Sequence, residues 1–334
     1  MRTINTEHFS SALRNRAIDL TNRRILMTNF SGSKQERDLS LPANCGGFGR
    51  IHHFRRAQGV DWPSNPLPID PATHFLGLLP GQDELIAQVF QNAVCSWRCW
   101  YCFVDFNLLS ADPRYSEFKS AAELLDLYLR EADRPAVLDL SGGQPDLVPE
   151  WTLWMLQELA ARGLSTKVFV WSDDNLSNDF LWRFLSPVEI NQLREFTNYG
   201  RVGCFKGYDA ESFQFNTSAE PGSFFEQFRL MRRLVSAGFD VYGYATFTAS
   251  SAKNVRSKIG EFVDRLQSEI HELFPLRTIP LRIREFTPMV QRRQPERALA
   301  LEVQEEAASA WCEELKLRFD AETRSRAVFE HRLV

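Results

Sequence analysis

From about residue 84 the chain repeats one unit, a short apolar stretch of strand length followed by a stretch with helical periodicity. The strand candidates are residues 85–93, 136–140, 167–171, 201–206, 241–247 and 281–286. Ser120 opens the first helix as a capping box with Glu123, carries Leu124, Leu125, Tyr128 and Leu129 on one face, and stops at Pro135. Pro149 suits the first turn of the next, whose face holds Leu153, Leu156 and Leu159 before Gly163. Helical segments follow to about residue 196, then at 222–237, 254–274 and from Pro295 to about 317. Such alternation makes the fold class α/β, with parallel strands joined by right-handed crossovers. The 334 residues suffice for one such domain with an extension, or for two domains.

The first strand candidate runs into Cys95-Ser-Trp-Arg-Cys99-Trp-Tyr-Cys102, three cysteines at spacing C-x3-C-x2-C with no fourth close by. A structural zinc site needs four protein ligands, and a closed iron–sulfur cluster usually takes four thiolates. Three thiols leave one metal position open, which is the mark of a catalytic site. A zinc knuckle and a chance grouping are the alternatives.

Sheets of parallel strands closed as barrels carry their active sites at the C-terminal strand ends. After the second strand comes Ser141-Gly142-Gly143-Gln144-Pro145, a ligand-approaching turn or an ordinary strand-to-helix turn. After the third come Asp173 and Asp174, polar site groups or helix N-caps. Lys206 ends the fourth, as a cation for an anionic ligand or a surface lysine. Tyr244, Thr246 and Thr248 share one face of the fifth. Arg282 and Arg284 share a face of the sixth with Glu285 opposite, and an inward arginine pair would mark carboxylate or phosphate recognition. Met289, Arg292 and Arg293 are candidates for a substrate wall, and Trp97 and Trp100 either shield the cysteines or pack the core.

The cysteine spacing, with aromatic Tyr101 one residue before the last thiol, resembles the C-x3-C-x-Φ-C motif of the radical S-adenosylmethionine (SAM) superfamily. The resemblance covers residues 85–320. It implies a partial (β/α)6 TIM-type barrel with parallel strands, preceded by an N-terminal extension at 1–84 and followed by a tail at 321–334. It implies a [4Fe–4S] cluster on Cys95, Cys99 and Cys102, and SAM bound at the open iron. Gly142-Gly143-Gln144-Pro145 resembles the family's G-G-E-P motif, with Gln144 in place of the more frequent Glu. Tyr101, Gly142, Gly143, Gln144, Asp173 and Lys206 are then the cofactor-binding candidates, with one of Asp173 and Asp174 toward the ribose hydroxyls or a polar site around SAM, and Lys206 toward the SAM carboxylate. A flavodoxin- or ferredoxin-like protein would supply the electron. The stretch 205–213 resembles the branch of the pyruvate formate-lyase activating enzyme, which implies a protein glycine as one substrate. Cys45, Cys204 and Cys312 are scattered, so a single cluster is expected.

Residues 1–60 carry ten Lys/Arg against four Asp/Glu, about +6 on a chain whose net charge is −4. That basic end admits an alternative, modification of RNA or a nucleotide. A non-catalytic iron–sulfur or zinc scaffold is a third reading. Gly46, Gly47 and Gly49 would let backbone approach a ligand, Cys45, His52 and His53 are candidate metal ligands, and the prolines of 62–80 suggest an irregular linker. Residues 10–26 show weak helical periodicity, and 29–41 read as loop. No apolar h-region or 18-residue apolar run occurs, so neither secretion nor a membrane span is expected. Six cysteines in so long a chain point to a reducing cytoplasm.

Overall fold

The structure, a computed structural model, describes residues 3–292 and 295–333. Ten strands form two sheets. In chain order they are β1 (Ile18–Asp19), β2 (Arg24–Thr28), β3 (Gly49–Arg55), β4 (Glu84–Phe90), β5 (Ser116–Ser120), β6 (Val137–Asp139), β7 (Phe169–Asp174), β8 (Tyr199–Phe205), β9 (Val241–Thr246) and β10 (Thr278–Leu281).

The larger sheet has the order β10-β9-β8-β7-β6-β4-β3. Six of its strands, β4 to β10 without β5, run parallel, as helical crossovers require. This is the partial (β/α)6 barrel. Period-two alternation gives each strand two buried faces. One face gathers Leu85, Ala87, Val137, Phe169, Trp171, Val202, Cys204, Tyr242 and Tyr244 into the interior. The other puts Leu138, Val170, Phe205 and Ala245 under the helices Ala121–Arg130, Glu150–Ala161, Ser223–Ser236 and Val255–Arg265. Each large apolar side chain so buried contributes about 1.5–3 kcal/mol.

The extension is woven into this sheet. β3 pairs antiparallel with β4, from Gly49 opposite Phe90 to Arg55 opposite Glu84, so the sheet gains a seventh strand. The short helix Ile69–Phe75, inside the expected linker, sets Ile69 and Ala72 into the interior apolar cluster beside Val328. β2 pairs with β5 in the smaller sheet, and the Thr28 amide donates to the Gln91 carbonyl beyond β4. The helix Thr6–Ala17 is tied to the barrel by Arg14, which donates to Glu150 at 2.9 Å and to the Leu147 carbonyl at 3.0 Å.

Several sequence expectations are corrected. The helical signal over 10–26 resolves into the helix Thr6–Ala17 and then β1 and β2, because Asn5 caps the helix by accepting from the His8 amide. The sixth strand is Thr278–Leu281, not 281–286. Beyond it the Arg282 and Ile283 amides donate to the side chains of Gln58 and Gln304 rather than to a neighbouring strand. A helix at Ala210–Thr217, capped by Asp209, lies where no element was expected.

Candidate active site

The cysteine loop leaves β4 and is held from three directions. Its own turn bonds the Cys102 amide to the Cys99 carbonyl. The helix Ala210–Thr217 accepts from it, the Arg98 amide at Thr217 and the Trp100 amide at Asn216. From the last loop, Arg292 donates to the carbonyls of Cys102, Trp100 and Val104. Asn216 is a fully buried hub. Its Oδ1 accepts from Trp100 Nε1 at 3.0 Å and from Thr248 Oγ1 at 2.7 Å, and its Nδ2 donates to the Lys206 and Thr248 carbonyls. The loop thus sits across the C-terminal ends of β8 and β9.

Cys95 and Cys99 are buried and Cys102 is partly exposed. Burial, then the neighbouring Cys99, pushes the Cys95 thiol up to about 12. Burial also raises Cys99, against the pull of Lys206. Metals bind thiolates, so a positively charged group must be present for these sulfurs to ionise. Among the described residues, no three His, Cys, Asp or Glu side chains close around a single ion. Three cysteine thiols in one loop are an all-sulfur donor set, which suits an iron–sulfur cluster.

Gly142 and Gly143 follow β6 with φ of +77° and +67°. A Cβ on Gly143 would lie 2.0 Å from Asn92 Oδ1, so the turn closes directly on the chain entering the cysteine loop. Asn92 clamps it from both sides, accepting from the Gln144 amide and donating to its carbonyl, each at 2.8 Å. The Gln144 side chain faces the protein. Oε1 accepts from the Ser96 amide and hydroxyl at 2.7 and 2.8 Å, and Nε2 donates to Asp146 at 2.9 Å and Ser177 at 2.6 Å. Asp146 also accepts from Asn178 and the Asn175 amide, and Asn175 Nδ2 lies 3.6 Å from Cys95 Sγ.

The paired aspartates separate in role. Asp174 is ion-paired with Arg201. Asp173 points to the interior side. Burial, then Asp139, pushes it up to about 7, while Lys206 and Arg50 pull it down. Burial disfavours the Lys206 ammonium, but Cys204, Tyr101, Cys99 and Asp173 around it raise its pKa overall, so it stays charged. Tyr101 places its hydroxyl 3.2 Å from Thr246 Oγ1. The structure therefore brings Cys99, Tyr101, Asp173 and Lys206 to one mouth, with the Gly142-Gly143 turn beside it.

Other candidates do not join them. Arg282 pairs with Glu305 and donates to the Gln58 carbonyl, as does Arg284, so neither forms an inward strand face. Met289 is buried against Trp100 and Ala300, and Arg293 lies outside the described residues. Tyr244 packs inward and donates to the Leu67 carbonyl. Trp97 is buried edge-on to Phe213. Gly47 and Gly49 are approached by the side chains of Asn29, Ser31, Asn44 and Gln88. Cys45, His52 and His53 do not converge, since His52 faces Asp139 at 3.6 Å while His53 bonds Glu84. Of the ten basic residues of 1–60, Arg14 and Arg56 sit in shielded ion pairs, Arg24 and Arg55 in exposed ones, and Arg50 is buried. A cleft of about 1030 Å³ opens beside Pro63, His74, Cys312 and the tail, and Cys95, Cys99 and Cys102 do not line it. No helix among the described residues is long and apolar enough to cross a membrane.

Arg50, which the sequence reading passed over, enters the mouth from β3. The only signal for it was the alternation of Arg50, His52 and Phe54 after a glycine turn.

No family model matches the chain, and no curated protein matches it. Solved structures do resemble it. SuiB from Streptococcus suis bound to S-adenosylmethionine is 17% identical over 69% of this chain and 47% of its own, with a TM-score of 0.46. The radical S-adenosylmethionine methyltransferase TsrM from Kitasatospora setae, with cobalamin and a [4Fe–4S] cluster bound, is 14% identical over 52% and 33%, at 0.36. Native anSMEcpe with bound AdoMet is 14% identical over 56% and 49%, at 0.38. The chain spans about half the length of the SuiB and anSMEcpe structures and a third of that of TsrM.

Proposed function

We propose that the chain is a radical SAM enzyme with a single [4Fe–4S] cluster. One observation supports this most directly. Three thiols stand in one loop that lies across the C-terminal ends of β8 and β9, against the Gly142-Gly143 turn. When bound, the cluster would supply an electron that cleaves SAM into methionine and a 5′-deoxyadenosyl radical able to take a hydrogen atom from a substrate.

This chain's residues then do the positioning. Cys95, Cys99 and Cys102 hold the irons. The Gly142-Gly143 turn offers backbone to the SAM amino group, and Gln144 fixes that turn to Ser96 of the cysteine loop. Lys206 receives the SAM carboxylate and Asp173 the ribose hydroxyls. Arg292, Trp100 and Asn216 keep the loop in place and exclude water from Cys99.

The substrate belongs to the protein, peptide or small-molecule class, a protein glycine included; the burial of Arg14 against Glu150 and of Arg56 against Asp70 takes two of the basic residues away from an RNA-facing surface. A reduced flavodoxin- or ferredoxin-like donor and the reducing cytoplasm complete the reading. The test is anaerobic reconstitution with iron and sulfide, reduction with dithionite, and mass-spectrometric measurement of 5′-deoxyadenosine. Wild type should form it and Cys99→Ala should not. A fully loaded wild type that binds SAM but forms none would overturn the proposal.

A further inference from the structure

Arg50 is 5% exposed, and two of its guanidinium nitrogens, Nε and Nη2, are buried without a hydrogen-bond partner. Those two form one edge of the guanidinium, the edge that takes both oxygens of a carboxylate in parallel. The same edge of Arg24 holds Asp19 in this protein, with Nε at 3.2 Å and Nη2 at 2.8 Å from one oxygen. A buried cation left unbonded is costly, and few such groups survive in folded proteins without a reason.

The register aims this edge at the site. Arg50 lies opposite Val89, and two residues on His52 faces Asp139, so the arginine shares the interior side with Asp139 and Asp173. Both carboxylates act on its charge, yet neither bonds its free nitrogens. Its Cζ stands 5.2 Å from the ring of Phe103, the residue after the last cysteine. Phe103 in turn stands 6.2 Å from Phe286, and both rings are partly exposed.

We infer that Arg50 is the docking group for a carboxylate of the substrate, with Phe103 and Phe286 receiving the apolar part attached to it. This rests on the function proposed above and narrows its substrate class to carboxylic acids, such as an amino acid or a peptide carboxylate. The charge count favours a monoanion. Arg50 and Lys206 are the cations facing Asp139 and Asp173, and those carboxylates would repel a phosphate dianion about twice as strongly as a single carboxylate. Lys206, which acts on Cys99, is the cation left for SAM.

The test uses the full chain and needs no turnover. Acetate and inorganic phosphate are titrated at fixed ionic strength while the thermal midpoint is followed. Acetate should raise the midpoint saturably and phosphate far less. Arg50→Gln should raise the half-saturating acetate concentration at least about tenfold, the loss of one bidentate contact. Arg50→Lys, which keeps the charge and loses the fork, should do the same and decides the matter if Arg50→Gln fails to fold. Arg55→Gln, which removes an exposed arginine of the same strand that pairs with Glu84, should respond like wild type. An unchanged acetate response in both Arg50 variants, a phosphate response equal to that of acetate, or loss of the response in Arg55→Gln overturns the proposal. So does loss of the acetate response when SAM is added to the reconstituted protein, which would assign the fork to SAM. Because acetate binding is read without 5′-deoxyadenosine, failure here and failure of the radical SAM reading are separable.

Discussion

Gln144 donates Nε2 to Asp146 Oδ2 at 2.9 Å while its Oε1 accepts from Ser96, so one side chain joins the glycine turn, the buried acid and the cysteine loop. The family resemblance would place a glutamate at this position. Here a glutamate oxygen would face the Asp146 carboxylate. Gln144→Glu should therefore cost about 3–5 kcal/mol above pH 7, the scale of an uncompensated buried charge. Adding Asp146→Asn should restore much of that stability. Urea unfolding of the single and double variants checks both statements, and a Gln144→Glu protein as stable as wild type contradicts the first.

Asp146 itself sets a pH dependence. Burial, then the nearby Asp174, pushes it up to about 7 from the ordinary 3.8. The folded state thus holds this proton more tightly than the unfolded chain. Its contribution to stability is complete below about pH 4 and is lost as pH rises through about 7. Measured against Asp146→Asn, the wild-type thermal midpoint should fall across that window. A difference that stays flat from pH 4 to 7 would show that the group titrates normally.

Two glycines with equal backbone strain separate steric from conformational effects. Gly143 and Gly163 both have φ of +67°, but a Cβ on Gly163 meets nothing within 4 Å. Gly163→Ala should cost about 1–2 kcal/mol, the penalty of a left-handed residue. Gly143→Ala should cost clearly more, because Asn92 must move as well. Chemical denaturation of the pair measures the gap.

Arg14 and Glu150 are each about 5% exposed in their side chains. Arg14→Met removes one partner of a buried pair and should destabilise the protein by about 3–5 kcal/mol. Replacing both residues with apolar ones should recover most of that loss.

Asn216→Ala breaks the hub between the cysteine loop and β8 and β9. It should reduce iron bound after reconstitution severalfold while far-ultraviolet circular dichroism stays near wild type. Full iron loading would show that Arg292 and Thr217 suffice to hold the loop.

Much of the barrel was legible in the sequence because its strands are apolar and its helices carry caps such as Ser120 with Glu123, both local signals. The cysteines and Gly142-Gly143 were legible as motifs. The sixth strand was misplaced because Arg282, Ile283 and Arg284 alternate like a strand, while Pro280 sits in the real one, which an edge strand tolerates. Arg50 was not legible. Its meaning depends on β3 pairing antiparallel to β4, a contact between segments that no local pattern announces.

The grip of Arg292 on the cysteine loop also sets a timetable for synthesis. It reaches Cys99 across 193 residues of chain, and Asn216 reaches Trp100 across 116. At about 5–20 residues per second, a ribosome needs roughly 10–40 s after making the thiols before it delivers the arginine that fastens them. For that interval the sulfurs stand outside the exit tunnel without their final restraint.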